Sequence, residues 1–409
     1  MKKRLVSVLA AAMAFIALLP APSRAAGKET KLMVVSDLHY LAPSLYRDSG
    51  LFLRSVRKGD GKLPQYGEEL LSALYREVLQ EKPDALIVTG DLTFNGEKPS
   101  HTALAAWFAS VEAAGVPVWI LPGNHDINIP NALGFSGETV YGIGSVTPEE
   151  FSAIYAEFLE PGSAGFSYVA RTSESLWVAM TDVAWYQEEA QTFGVFTDRH
   201  EAWLEGVLEK AREVSARVVT ATHHSLLQHT AFSRENYLMF GHERMAKLAR
   251  DGGVRLNLSG HLHIQHIVRE ENLADAALGA FCIWPHRYAL VTAGSDGSLS
   301  YESRALDEAF LPEGFSEMSR EWFAGIVREK VAAALSGTEE EVRIMADYAA
   351  RFNLAYFSGT LRKEDPSWTE DPASALWESQ ENTAFWQYMK LVMAEASEDS
   401  LCLNLPAEP

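Results

Sequence analysis

Five short clusters in this chain carry residue types that bind metal ions: Asp37 and His39, Gly90 and Asp91, the run Gly123, Asn124, His125 and Asp126, the pair His223 and His224, and Gly260, His261 and His263. Asp and His together suit borderline ions such as Mn, Fe and Zn, whereas all-oxygen shells suit Mg and Ca. Asp37, His39, Asp91, Asn124, His223, His261 and His263 supply enough donors for two ions, because one carboxylate can bridge. Two ions about 3.5–4 Å apart stabilise both the attacking and the leaving oxygens of an in-line displacement. They also lower the pKa of a bound water, giving a hydroxide near neutral pH, so no Ser or Cys nucleophile is required. Taken alone, a strand-end Asp is a cap or turn residue. It is the full set that points to chemistry.

Each cluster closes an apolar run. The runs 31–35, 85–88, 118–121, 217–222 and 255–258 read as buried strands, and open α/β sheets bind ligands in the crevice outside strand C-terminal ends. Asp37 and His39, two apart, share one face of an extended segment. Helical spacing covers 66–79, 100–114 (capped by Ser100 and closed by Gly115), 198–214 and 243–250, and Thr147 and Pro148 start another helix. The alternation predicts parallel βαβ units. Segments 41–65 and 127–147, rich in Gly, Pro or Asn, are expected as loops over the site. Segments 166–170, 176–181, 264–269, 277–283, 288–293 and 299–303 read as further strands.

After about residue 305 the spacing turns helical over 317–335, 339–352 and 373–396, in a stretch that is net acidic. We expect a small helical C-terminal domain (306–409) behind a catalytic domain (26–305), with Trp322, Phe323, Trp377 and Trp386 packing a core rather than a ligand. At the other end, Lys2, Lys3 and Arg4 precede an uncharged apolar stretch, 5–19, and then Ser23 and Ala25. That pattern is a signal peptide over 1–25, and it is short for a span, which needs about 20 apolar residues. The expectations are an extracytoplasmic protein and no membrane span after cleavage.

Removing Lys2, Lys3, Arg4 and Arg24 takes the formal charge from −20 to −24. Nucleic-acid binding rests on phosphate neutralisation by Lys and Arg, so a long nucleic acid is not an expected substrate. A small phosphate ester remains open, since bound metal ions dominate a local field. Cys282 and Cys402 leave two readings, one long-range disulfide or two packed thiols. The sequence names no protein partner for the C-terminal domain.

Found together and in this order, the patterns D-x-H, G-D, G-N-H-D, a strand-end His and G-H-x-H resemble the calcineurin-like metallophosphoesterases over 31–270. The resemblance implies an α/β sandwich of two central β-sheets flanked by helices. It implies Asp37, His39 and His263 on one metal, Asp91 bridging, and Asn124, His223 and His261 on the second. His125 then corresponds to a non-ligand His that contacts phosphate and protonates the leaving oxygen, with Asn124 also binding substrate and Asp126 orienting the imidazole. Many members have His-His-Pro where this chain has His223, His224 and Ser225, which leaves His223 or His224 as the ligand open. A narrower likeness, to secreted bacterial class III cyclic-nucleotide phosphodiesterases with a helical C-terminal domain, rests on Ser36 to Tyr40, Gly90 to Thr93, Gly123 to Asn128 and Trp284 to Tyr288. It implies a phosphodiester substrate, with a cyclic nucleotide favoured. A phosphomonoesterase or nucleotidase is the alternative, and a non-catalytic metal-binding module is the outside reading. His101, His200, His229, His242 and His266 are expected on the surface or on helices. His286 and Arg287 are weighed as phosphate contacts, and Tyr40, Asn95 and Asn128 as substrate contacts or local loop hydrogen bonds.

Overall fold

The computed structural model describes residues 29–47, 49–159, 164–231, 236–396 and 399–407. The leader expected over 1–25 lies outside them. β1 (Thr30–Val35) leads through α1 (Gly50–Arg57) and α2 (Gly67–Glu81) to β2 (Ala85–Val88). Then come α3 (Lys98–Ala113), β3 (Val118–Ile120), a hairpin of β4 (Leu133–Ser136) and β5 (Thr139–Gly142), and α4 (Pro148–Ile154). A second layer is built from β6 (Tyr168–Arg171), β7 (Leu176–Met180), α5 (Asp198–Glu213), β8 (Arg217–Ala221), α6 (His242–Asp251), β9 (Leu256–Ser259), β10 (His266–Glu270) and β11 (Leu273–Ala277). After β12 (Arg287–Ala293) and β13 (Leu299–Ala305) come α7 (Phe315–Ala334), α8 (Glu339–Phe357), α9 (Pro372–Glu378), α10 (Ala384–Glu395) and β14 (Cys402–Leu405).

The strands form two sheets, in the orders β14-β13-β12-β1-β2-β3 and β10-β11-β9-β8-β7-β6. β1, β2 and β3 run parallel, as do β7, β8, β9 and β11. Alternation along each strand explains why the runs are apolar throughout. Leu32, Val34, Ala85 and Ile87 face the other sheet, where they meet Val178, Val219 and Leu258. Met33, Val35, Leu86 and Val88 face outward, under Leu74 of α2 and Leu104 and Phe108 of α3. The second sheet is covered in the same way by Leu204 and Leu208 of α5 and Met245 of α6. The result is the expected sandwich of two sheets flanked by helices.

Several local expectations change. Segment 41–65 contains α1, because Ser49 accepts a hydrogen bond from the Phe52 amide and Phe52 and Val56 bury one face. Segment 127–147 contains the β4–β5 hairpin. α3 starts earlier than expected, and the Ser100 hydroxyl accepts from the Ala42 amide at 3.1 Å instead of capping the helix. The strand expected over 277–283 is a loop beyond Ala277, the last residue of β11, so β11 itself was not expected from the sequence. There Phe281 donates to Ser36 O and Leu278 to Ser259 O, while Cys282 and Ile283 pack against Phe323 and Leu354. The helix expected over 373–396 is divided into α9 and α10.

α7 to α10 form the C-terminal helical region around Trp377, Phe352 and Trp368, with Trp386 stacked on Trp377. β14 then pairs antiparallel with β13 and extends the first sheet, burying Leu403 and Leu405 between the two layers. No described helix is long and apolar enough to cross a membrane. Cys282 is buried, Cys402 is exposed, and both are free thiols.

Candidate metal centre

The donor residues sit where strands end and the chain turns sharply. Asp37, His39, Asp91, His261 and His263 all have positive φ, between 42° and 66°, a backbone region that costs non-glycine residues about 1 kcal/mol or more each. The turns interlock through main-chain bonds: Asp37 N donates to Gly90 O, His39 N to Asp91 O, and Gly260 N to His223 O. Each accompanying glycine is required by close approach. A Cβ on Gly123 would sit 2.2 Å from Asp91 Oδ1, one on Gly260 1.9 Å from Ser36 Oγ, and one on Gly90 2.6 Å from His223 Nδ1. The glycines of the sequence motifs are thus there to let five strand ends touch at three points.

This packing gathers two groups. Asp37, His39, Asp91 and His263 offer donor atoms within 4.8 Å of one another, and so do Asp91, His223 and His261. Asp91 belongs to both. His39 Nε2 lies 3.2 Å from His263 Nε2 and 3.5 Å from Asp91 Oδ2, and His263 Nε2 is 3.4 Å from Asp37 Oδ1. In the second group His223 Nε2 lies 3.3 Å from Asp91 Oδ1 and 3.1 Å from Asn124 Oδ1. His224 turns away, its Nε2 donating to Thr192 O at 2.9 Å. Of the pair, His223 is the one that faces the cluster.

A match to the family model for calcineurin-like phosphoesterases spans residues 30–265, more than half of the chain. The chain belongs to that family. Among curated proteins it is similar to a probable cyclic nucleotide phosphodiesterase of Synechococcus sp., 35% identical over 77 residues, which cover 18% of this chain and 29% of that protein. It is also similar to a probable glycerophosphodiester phosphodiesterase of Arcobacter nitrofigilis, 35% identical over 74 residues, covering 17% of this chain and 26% of that one. The chain therefore spans less than a third of the length of either relative. Among solved structures it is similar to a dimetal phosphatase from Danio rerio, with TM-score 0.49, 15% identity, and coverage of 68% of this chain and 96% of that one.

The donors of this calcineurin-like phosphoesterase fit two ions. Donors about 2.0–2.1 Å from one ion stand roughly 2.8–3.4 Å apart in octahedral or tetrahedral arrangements, close to the shorter spacings within both groups. Asp91 Oδ2 is buried with no hydrogen-bond partner among the described residues. The rings are also set in ligating tautomers. His223 Nδ1 donates to Thr89 O at 2.9 Å, leaving Nε2, and His261 Nε2 donates to Asn236 O at 2.9 Å, leaving Nδ1. Burial would raise the Asp91 carboxyl, but His223 and His125 hold it well below the usual carboxylate range. Burial would lower His223, but Asp91 and Asp37 push it up to about 9. With such a centre, the clustered charge calls for cations.

His125 stands beside this pair of groups. Its amide donates to Asp91 Oδ1 at 2.8 Å, and its ring lies 4.9 Å from that of His39. The ring is oriented by the Phe94 carbonyl, which accepts from Nδ1 at 2.9 Å, with Asn95 Oδ1 at 3.1 Å. Asp126, expected in that role, is placed elsewhere. Its carboxylate accepts from the amides of Gly123 (2.7 Å), Thr93 (2.9 Å) and Leu92 (3.1 Å). The reason is reach: the turn folds Asp126 back under its own start, so it braces the two loops and leaves the ring to Phe94 and Asn95.

The other histidines divide. His101 lies on α3 as expected but is buried, bonded to Tyr155 Oη and Asp126 O. His200 and His242 occupy the first turns of α5 and α6. His229 and His266 are neither on helices nor on the surface. They are buried against one another, with His229 Nε2 3.4 Å from Asp275. Asp275 draws them in because it accepts from the Leu226 and Leu227 amides, so it anchors the turn after His223 and His224. His286 has both nitrogens bonded, to Phe281 O and Ser319 Oγ, and Arg287 donates to Ser303 O. Asn128 donates to Tyr186 O, and Tyr40 is buried. The sequence reading missed Asp60, whose Oδ2 accepts from His263 Nδ1 at 3.0 Å, and Lys62, whose Nζ is 3.4 Å from that oxygen. The only signal for them was the turn sequence Gly59, Asp60 and Gly61 within the irregular stretch.

Proposed function

We propose that this protein hydrolyses small phosphodiesters at a two-metal site built from Asp37, His39, Asp91, Asn124, His223, His261 and His263. The observation that carries the reading is the shared carboxylate. Asp91 takes part in both donor groups, which is the arrangement by which one side chain holds two neighbouring ions. Mn, Fe and Zn suit this mixture of imidazole and carboxylate. When bound, two such ions supply activated water and neutralise charge on both oxygens of the displacement.

The chain's own residues supply the rest. Because His125 Nδ1 donates to Phe94 O, its Nε2 is the nitrogen left for the substrate, where it can pass a proton to the departing oxygen. Burial holds the basicity of this ring below the usual histidine range, against a smaller opposing pull from Asp91. A phosphate anion alongside would act in the opposite sense and shift the ring toward the protonated form. With Asn124 Oδ1 turned to His223, the amide nitrogen is the half of that side chain suited to a phosphate oxygen.

The preference for diesters is supported by the two curated relatives, both named as phosphodiesterases. Their different substrates leave a cyclic nucleotide and a glycerophosphodiester as competing candidates. The basic, apolar and small-residue pattern of 1–25 supports action outside the cytoplasm. The test is turnover of bis(p-nitrophenyl) phosphate against p-nitrophenyl phosphate, with Mn and with chelator. We expect metal-dependent activity favouring the diester, and a loss of roughly 10²–10⁴-fold in His125→Ala with metal content retained. A preference for the monoester would replace this reading with a phosphomonoesterase. A metal-loaded protein inert toward both, and toward cyclic nucleotides, would point to a binding module instead.

A further inference from the structure

His263 is engaged on both sides of its ring. Nε2 faces the first donor group, 3.2 Å from His39 Nε2 and 3.4 Å from Asp37 Oδ1, while Nδ1 donates to Asp60 Oδ2 at 3.0 Å. That bond sets the tautomer: with the proton on Nδ1, Nε2 keeps the lone pair that an ion needs. Within this group Asp60 has no substitute, because His39 Nδ1 is buried without a hydrogen-bond partner among the described residues. The imidazoles of the second group are oriented by carbonyls instead, His223 by Thr89 O and His261 by Asn236 O.

Asp60 has a simpler reading, a turn residue paired with Lys62, whose Nζ lies 3.4 Å from the same oxygen. What stands behind the turn takes it further. Gly61 has φ of +103°, and a Cβ there would lie 2.4 Å from Phe323 Cδ2 of α7. Lys330, also of α7, donates from Nζ to Gly59 O at 2.7 Å. Leu63 N donates to Cys282 O at 2.9 Å, and Cys282 packs with Phe323 and Leu354.

The 280–283 loop that carries Cys282 also reaches the donors themselves. Cys282 N donates to Asp37 O at 3.4 Å and Ala280 N to His263 O at 3.3 Å. Just beyond His263, Ile264 packs into the cluster around Trp377, and Gln265 N donates at 3.1 Å to the carbonyl of Phe357, the last residue of α8. The two donor groups therefore differ in their support. Asp37 and His263 lean on α7 and α8, whereas Thr89 and Asn236 belong to the sandwich.

We propose that Asp60 is a positioning residue for His263 and that α7 holds it in place, so that the C-terminal helices govern occupancy of the first metal site and spare the second. The inference rests on the two-metal reading and gives the C-terminal region a role in it. The test takes the full chain stripped of metal and titrates it calorimetrically with Mn. Bound ions are counted by mass spectrometry, and electron paramagnetic resonance separates a coupled Mn pair from a single ion. In Asp60→Ala one ion should bind roughly 10–100-fold more weakly, the usual effect of losing a partner that orients a ligand. The other ion should keep its affinity, and the coupled signal should give way to that of a single Mn. Asp60→Asn, which keeps an acceptor at the same reach, should recover most of the loss. Phe323→Ala should weaken the same ion, and so, to a smaller extent, should Lys330→Met, an exposed change that leaves the core packed. Two ions at wild-type affinity in Asp60→Ala, or equal weakening of both, would overturn the role of Asp60. Wild-type affinity in both Phe323→Ala and Lys330→Met would overturn that of α7. A wild-type protein binding fewer than two ions would overturn the two-metal reading together with this inference. If it binds two and hydrolyses no ester, the phosphoesterase reading falls alone, and Asp60→Ala still decides this one.

Discussion

Crowding carboxylates and imidazoles at one point has its clearest effect on His223 and His263. Burial favours their neutral forms, yet Asp91 beside His223, and Asp37 with Asp60 beside His263, push both up to about 9. At pH 7 the metal-free rings therefore hold protons that an incoming ion must displace. Because both folded values are raised, these two groups stabilise the metal-free fold below about pH 6.5, the unfolded value, and that contribution is lost as pH rises through about 9. Metal affinity runs the other way and tightens over the same window. Titrating Mn at pH 7 in buffers of different ionisation heat should show release approaching one proton from each ring, falling toward zero above pH 9. Buffer-independent heats at pH 7 would rule this out. The six clustered Asp and His residues, and Asn124 beside His223, could be picked out from the sequence because each follows a strand-like run. Asp60 and Lys62 could not, since a Gly-rich turn has no periodicity to mark it, and Asp126 was misplaced because adjacency to His125 does not tell which way a tight turn folds.

At the scale of elements, the strand ends do the positioning. The sequence made β1 and β2 readable because strands buried on both faces are apolar almost without interruption. It hid α1, whose eight residues sit among Gly and Arg, and it placed a strand over 277–283 in place of β11, because the 278–283 stretch is apolar for a different reason: it packs on α7 and α8. The strand ends also explain the motif glycines. Gly260 joins the end of β9 to that of β1, and a Cβ there would lie 2.7 Å from Asp37 Oδ2 as well as against Ser36. Gly260→Ala should therefore push Asp37 and His261 apart. We expect a loss of bound metal and activity of tenfold or more, the scale of disturbed ligand orientation, with the circular dichroism spectrum unchanged. Full metal content in that variant would show that the turn yields more easily than its geometry implies.

At the scale of the whole molecule, the C-terminal region is tied into the sandwich at both of its ends. Composition marked 306–409 as helical, which α7 to α10 are, but it gave no sign that β14 would return to the first sheet. Four residues, Cys402–Leu405, carry too short an alternation to be distinguished from a tail. Leu403 is 2% exposed within the core between the sheets. Nearby, Gln265, two residues beyond His263, donates from Nε2 to Ser400 O at 2.7 Å. Leu403→Ala should cost about 2–5 kcal/mol in urea denaturation, as for other buried leucines. A cost below about 1 kcal/mol would mean that β14 is only loosely attached.

The position of β14 also bears on the order in which the protein comes into being. The proposed donors have all left the ribosome once His263 has, but the strand that covers β13 and the carbonyl that steadies Gln265 come from beyond residue 399. A growing chain thus carries its complete set of donors through well over a hundred further residues of synthesis before the enclosure behind them can close. Hydrolytic competence should arrive late, with the finished polypeptide rather than with the motifs.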